Sequence, residues 1–450
     1  MKKLNFVQIV SISMMLFAIF FGAGNMIFPP AMGQLAGSSY PLALLGFILT
    51  DVGIAIMGIA AVVFVGSNID DIGRLISPRF GLFFSIAVYL LIGPLFGLPR
   101  TATVSFEITF VPYLPKELHT ICLLIFSAMF FALTYYLSHN SSKLVDYVGK
   151  ILTPLLLVSI FLIFIMAILH PEGNGSLAFG EMMSPSGDYR SHPLFLGMIE
   201  GYNALDGPAG LAFAVIVIEA IRLYGVRDEK SIVKYTLLCG LGSAVFLTVI
   251  YFMLTHIGAI TNEAVANGGN LLHAVTYHLL GNGGGIVLGV AVFLACIATA
   301  IGLVSSFSRY IAMVSPESWT YQRIAKYVCF ASFIIANVGL NQLIKISLPI
   351  LMMIYPVTIV LIVLSFMKNI IKERRSVYII SMILTFIVSF INGVEIYGVK
   401  FGIVNTYIHA LPFNDIGFGW ISVSIIGALI GFLPIWNKLN QIGDTIQKEA

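Results

Sequence analysis

The chain has 450 residues, of which 58% are hydrophobic and 10% charged, with a formal net charge of +3. With a mean hydropathy of +0.97, it falls far outside the range of soluble globular proteins. These values predict an all-α polytopic membrane protein, and nucleic acid is not an expected partner.

Apolar runs of about 20 residues, the length needed to cross a bilayer, recur twelve times, at 6–33, 41–66, 80–110, 118–138, 143–169, 192–222, 229–258, 283–313, 322–340, 343–367, 376–393 and 418–436. With the N-terminus inside, nineteen of the 24 Lys and Arg residues fall on the cytoplasmic face. Only Lys116, Arg190, Lys345 and Lys400 fall on the outer face, and Arg100 lies within a segment. The positive-inside rule then predicts that both termini are cytoplasmic. The Met-Lys-Lys start resembles a signal peptide, but no small-x-small cleavage site follows.

The first segment is interrupted by Gly22-Ala23-Gly24-Asn25 and closed by Phe28-Pro29-Pro30. Glycine inside a helix costs up to about 1 kcal/mol relative to alanine. Broken backbone at membrane depth is tolerated where it lines a polar cavity. The pattern predicts two half-helices with exposed backbone groups facing a solute. Carbonyls at the end of the first half, near Phe21, suit a cation; free amides at the start of the second, near Gly24, suit a carboxylate.

Segment two carries Asp51, a candidate proton site. Segment three carries Arg100 and Glu107, seven residues apart on one helix face, a candidate outer gate with each other or with a neighbour. Ionisable groups inside spans are functional candidates because each costs about 2.5–3.5 kcal/mol at a helix centre. Segment six is interrupted in turn by Glu200-Gly201-Tyr202-Asn203-Ala204-Leu205-Asp206-Gly207-Pro208. There Tyr202 and Asn203 offer a hydroxyl and an amide, and Asp206 a partner for an ammonium, ion or proton. Glu219 and Arg222, near the end of this segment, are spaced for a local pair.

Breaks in corresponding segments of two halves are the best sequence pointer to an inverted repeat with a midplane binding site. Segments one and six are five apart, which predicts a 5+5 inverted repeat within one transmembrane domain spanning 1–450. The first repeat covers about 6–169 and the second about 192–367, with additional helices over about 376–436. Three outer connections, 170–191, 259–282 and 394–417, are the longest; the stretch Asn262–Gly269 and the helical pattern from Leu271 to Leu280 read equally as a lid or a connector.

The run from Phe17 to Pro30, the run Gly93-Pro94-Leu95-Phe96-Gly97-Leu98-Pro99-Arg100-Thr101, and Glu200-Gly201-Tyr202 with Asp206 together resemble the bacterial branched-chain amino acid:cation symporters. These belong with the amino acid, polyamine and cation transporters. The resemblance covers essentially the whole chain. It implies a leucine-transporter-like fold and symport of leucine, isoleucine and valine across the cell membrane, with Na+ as the coupling ion and no cofactor.

It also implies an ion site formed by the carbonyls of Ala18 and Phe21 facing the hydroxyls of Ser305 and Ser306. Val304 departs from the threonine of the family's Gly-Leu-Thr-Ser pattern and removes one hydroxyl from that set. The substrate set is Gly22, Ala23, Gly24, Asn25, Tyr202, Asn203 and Asp206.

Proton coupling through Asp51 or Asp206 is the competing reading within this class. A membrane-embedded enzyme lacks any metal motif, nucleophile elbow or phosphate loop. A channel lacks a repeated filter or pore-lining charge rings. The four cysteines show no C-x-x-C spacing. The triplet Asn174-Gly175-Ser176 is a formal glycosylation sequon. The sequence does not define an oligomeric state.

Overall fold

The computed structural model describes residues 3–139, 145–169, 180–262, 267–372 and 374–436. Among them, twenty α-helices run in chain order: α1 (Phe6–Phe20), α2 (Ala23–Ala36), α3 (Tyr40–Ile48), α4 (Ile54–Val65), α5 (Ile69–Gly73), α6 (Pro78–Leu90), α7 (Gly97–Thr109), α8 (His119–Ser138), α9 (Thr153–Leu169), α10 (Pro193–Ala204), α11 (Asp206–Leu223), α12 (Glu229–Ala259), α13 (Gly268–Leu280), α14 (Asn282–Val314), α15 (Tyr321–Ala336), α16 (Leu340–Phe366), α17 (Lys368–Ile371), α18 (Arg375–Ile396), α19 (Ile403–His409) and α20 (Gly419–Gly431).

Helices occupy all twelve stretches marked by hydropathy. Among the described residues, eight helical stretches, Ala23–Val65 and Pro78–Tyr113 each joining several helices, are long and apolar enough to cross a bilayer, and α10 with α11, bent by 47°, makes a ninth. Of the remainder, α1 is short because the glycine break ends it. The sequon at Asn174 and the residues 263–266 of the outer 259–282 connection lie outside the described residues. The helical pattern beyond them is α13, which packs on α2 and α14.

Burial separates an inner set from an outer one. The apolar stretch of α14 is 78% buried, whereas that of α8 is 22% buried. Around α14 stand α1, α7 and α11; α2 packs on α12 and α10, and α4 on α11. Both broken helices are therefore central. Of the last helices, α18 packs on both α20 and α16.

Three departures from regular helix shape the centre of the bundle. A π-helical turn, Leu49–Gly53, joins α3 to α4 and contains Asp51; such one-turn insertions re-aim side chains and recur at functional sites. A second π-helical turn, Leu91–Leu95, contains Gly93 in a non-helical conformation followed by Pro94. Segment three is thus a third broken span, where hydropathy alone reads one continuous helix. Between α10 and α11, Leu205 takes the left-handed conformation at φ 79°. That is unusual for a bulky residue, and its side chain is held by Leu91, Phe96 and Leu351.

Candidate functional site

At the first break the backbone opens for want of side chains. A Cβ on Gly22 would lie 2.6 Å from the Thr299 hydroxyl, and one on Gly24 would collide with the Arg100 guanidinium and lie 3.0 Å from the Ala204 backbone. Asn25 caps the new helix: its Oδ1 accepts the Gly22 N–H at 3.0 Å. The first bond of α2 runs from Met26 N–H to Gly22 O. The amides of Ala23, Gly24 and Asn25 therefore precede the intrahelical ladder, at the positive end of the helix dipole.

The other end of Asn25 builds a polar network. Its Nδ2 donates to Asp206 Oδ2 at 2.8 Å and to the Tyr251 hydroxyl. Tyr251 in turn donates to Asp51 Oδ2 at 2.6 Å. Because Asn25 Oδ1 is already committed to Gly22, the amide orientation is fixed and both donors are used. Asp51 is 0% exposed, Asn25 1% and Asp206 4%. Among the described residues, Asp51 Oδ1 has no hydrogen-bond partner.

Arg100 is also buried, at 3% exposure. Its guanidinium donates to the Asn203 carbonyl at 2.8 Å and lies over the Phe28 ring, 5.0 Å from the centroid. The turn at Gly93-Pro94 redirects α7 so that Arg100 comes inward against Gly24.

Together these elements enclose a cavity of about 30 Å³. Its lining combines polar groups, from Gly22, Ala23, Gly24, Asn25, Arg100, Thr101, Asp206 and Thr299, with the apolar side chains of Ile19, Phe20, Ile92, Phe213 and Leu303.

Of the residues singled out from sequence, Gly22, Ala23, Gly24, Asn25 and Asp206 line this cavity. Tyr202 and Asn203 do not. The Tyr202 ring stacks on Tyr355 at 4.4 Å, and the Asn203 amide donates to Glu200 at 3.1 Å; only the Asn203 carbonyl reaches the site, through Arg100.

Arg100 and Glu107 form no gate with one another. Glu107 lines a separate cavity with His119, Asn337 and Gln342, while Arg100 lines the cavity between the two breaks. Helical spacing places them on one face but does not reveal that Gly93-Pro94 turns the Arg100 end toward the core.

The Ser305 and Ser306 hydroxyls, expected opposite the carbonyls of Ala18 and Phe21, are bonded elsewhere. The hydroxyl that donates to the Ala18 carbonyl is that of Thr299, at 3.2 Å. The Ser306 hydroxyl donates back to Leu303 O at 3.2 Å, and that of Ser305 accepts from Tyr321 at 3.3 Å. The reason is helical rise: Ser305 is six residues past Thr299, about 9 Å along α14. Glu219 pairs across the bundle with Arg309 of α14 rather than locally with Arg222.

Tyr251, Thr299 and the role of Arg100 are not evident from the sequence. Tyr251 and Thr299 sit in unbroken apolar helices with nothing to mark them. Arg100 is visible as an intramembrane charge, but its partner is not.

Two helix breaks that meet at one cavity are the arrangement of a leucine-transporter-like fold. The fold matches Mhp1, a nucleobase-cation-symport-1 family transporter in a closed conformation with bromovinylhydantoin bound. The TM-score is 0.61 at 13% identity, over 97% of this chain and 96% of that one.

The sequence narrows the class further. The family described as branched-chain amino acid transport protein matches residues 5–438. The branched-chain amino acid permease BraB of Bacillus subtilis is 42% identical over 428 residues, 94% of each chain. BrnQ of the same organism is 37% identical over 96% of this chain and 98% of that one. BrnQ of Lactobacillus delbrueckii subsp. lactis is 35% identical over 97% and 99%. The chain belongs to the branched-chain amino acid transport protein family; it is a multi-pass cell-membrane transporter and not an enzyme.

Proposed function

We propose that this protein imports leucine, isoleucine and valine together with a monovalent cation, by alternating access around the cavity between the two breaks. The carrying observation is that the lining of that cavity divides into polar groups and apolar side chains. A branched-chain amino acid has the same division.

Its carboxylate fits the Arg100 guanidinium and the first-turn amides of α2, where a charged acceptor gains from both the helix dipole and a planar fork of donors. Its ammonium fits Asp206. The aliphatic side chain fits between Phe20, Phe213, Ile92 and Leu303, where a buried Leu- or Val-sized group contributes about 1.5–3 kcal/mol.

Sodium is the leading coupling ion, by resemblance to cation symporters. Proton coupling is the second reading, favoured by the unpartnered Asp51 Oδ1 in a fully buried network. In the proposed topology both termini are cytoplasmic, as the concentration of Lys and Arg on one face supports. The repeats span about 6–169 and 192–367, with the helices over about 376–436 outside them.

One monovalent cation crossing about 100 mV contributes about 2.3 kcal/mol, and a tenfold concentration ratio about 1.4 more. Together they support leucine accumulation of several hundredfold. Purified protein in liposomes, given labelled leucine under an imposed sodium gradient or an imposed proton gradient, tests this. Accumulation under the sodium gradient at equal pH is the expected result. Accumulation driven by a pH gradient alone and indifferent to sodium selects the second reading, and no gradient-driven uptake under either rejects symport.

A further inference from the structure

The buried charges around the site do not balance. Facing Asp51 are Tyr251 from α12, Asp206 from α11, Arg100 from α7 and Tyr355 from α16. Two carboxylates and one guanidinium leave a formal surplus of one negative charge in a region no more than 4% exposed. Glu200, the next acid along α10, is a separate matter. It adjoins Tyr189 and accepts from the Asn203 amide.

An uncompensated charge at membrane depth is costly, and such charges are paired or serve a pathway. The substrate does not remedy the imbalance. Leucine, isoleucine and valine are zwitterions, adding one positive and one negative group. With an ammonium at Asp206 and a carboxylate at Arg100, both of those side chains are matched and Asp51 is not. The carboxylate oxygen left without a donor among the described residues is Asp51 Oδ1, while its Oδ2 holds the Tyr251 hydroxyl. Asp51 and Asp206 are joined through Tyr251 and Asn25, so what binds at one carboxylate acts on the other within two side chains.

We infer that the Asp51 carboxylate, with Oδ1 turned into the buried network beside Asp206, is the anchor for the coupled cation, and that one monovalent cation enters per amino acid because one surplus charge must be neutralised. This rests on the transporter reading above and adds to it a residue, a count and a cause. It moves the ion from the Ser305 and Ser306 hydroxyls to the carboxylates. Hard oxygen donors of this kind suit a sodium ion and equally a proton; the shared chemistry is a single positive charge. The π-helical turn at Leu49–Gly53 is the local device that carries Asp51 at this position.

Cation and leucine must then raise one another's affinity by the same factor, since coupling between two ligands is reciprocal. The test is equilibrium binding of labelled leucine to the detergent-purified full chain, with sodium replaced by choline at fixed pH, and with pH varied in choline. For the unaltered protein, one of the two cations is expected to tighten leucine binding by about 5- to 150-fold, the usual range of such coupling. Whichever does so is the coupled ion. For Asp51→Asn the enhancement is expected to fall to less than about twofold. Asp51→Glu, which keeps the charge, is expected to retain a clear enhancement.

An Asp51→Asn protein whose leucine binding still rises by the same factor with the cation overturns the assignment. So does an unaltered protein whose leucine binding responds to neither cation. Should Asp51→Asn not yield folded protein, the count still decides: in liposomes the unaltered chain is expected to move one cation per leucine, by labelled sodium or an internal pH dye, and two or none contradicts the charge balance. A protein that binds no branched-chain amino acid under any condition fails the transport reading itself, a result distinguishable from all of these.

Discussion

The two helix breaks solve the same problem in different ways. Between α1 and α2 the chain opens with glycine, and one side chain, Asn25, closes every loose end it can reach: it caps Gly22 and donates to both Asp206 and Tyr251. Between α10 and α11 there is no glycine at the turn. Leu205 is held left-handed by its apolar neighbours, Tyr202 stacks on Tyr355, and the Tyr355 hydroxyl accepts the Gly207 N–H at 2.9 Å while donating to Thr50 O at 3.2 Å. In the proposed site the first break offers backbone to the ligand, whereas the second is braced from behind and offers a carboxylate, Asp206. Changes at the first are therefore expected to read out in affinity, and changes in the brace of the second mainly in stability.

The largest effect is expected from Gly24→Leu. Its side chain fills the approach to the α2 amides and drives into Arg100 and Ala204, so leucine binding by equilibrium dialysis is expected to disappear while the protein remains monodisperse. Normal affinity in that variant removes the first break from the site. Next is Arg100→Gln, which removes charged hydrogen bonds worth about 1.5–3 kcal/mol, or about 10- to 150-fold in leucine affinity. Loss of thermal stability with leucine affinity intact would instead make Arg100 a brace for Asn203.

The smallest is Tyr355→Phe. It leaves the Gly207 amide and the Thr50 carbonyl short of a partner, at about 1–3 kcal/mol, and thermal unfolding in detergent is expected to shift down while leucine affinity changes by less than about threefold. A larger fall in affinity than in stability would erase the distinction between the two breaks.

Hydropathy periodicity reveals the helical stretches, and glycine with proline reveals two of the three broken spans. The third is hidden because Gly93-Pro94 sits in an otherwise apolar run, where one kink is cheap and common. The site is legible where backbone chemistry makes it, at Gly22 to Asn25. It is less so where tertiary contacts do: Tyr251 and Thr299 are ordinary residues in ordinary helices, and only packing turns them toward the breaks. Tyr202 is prominent in sequence for a role its ring does not take, since the stack on Tyr355 directs it behind the break. Family resemblance points to Ser305 and Ser306, yet six residues of helical rise separate Ser305 from the hydroxyl that reaches Ala18.

If both breaks close on one amino acid, a structure of the full chain with leucine bound shows it most directly. The leucine carboxylate is expected within hydrogen-bond reach of the Arg100 guanidinium and the Ala23 and Gly24 amides, its ammonium at Asp206, and its side chain between Phe20 and Phe213. Leucine seated elsewhere, for instance in the apolar groove between Phe110, Phe130 and Phe293, or with its carboxylate away from α2, would contradict a shared site at the two breaks.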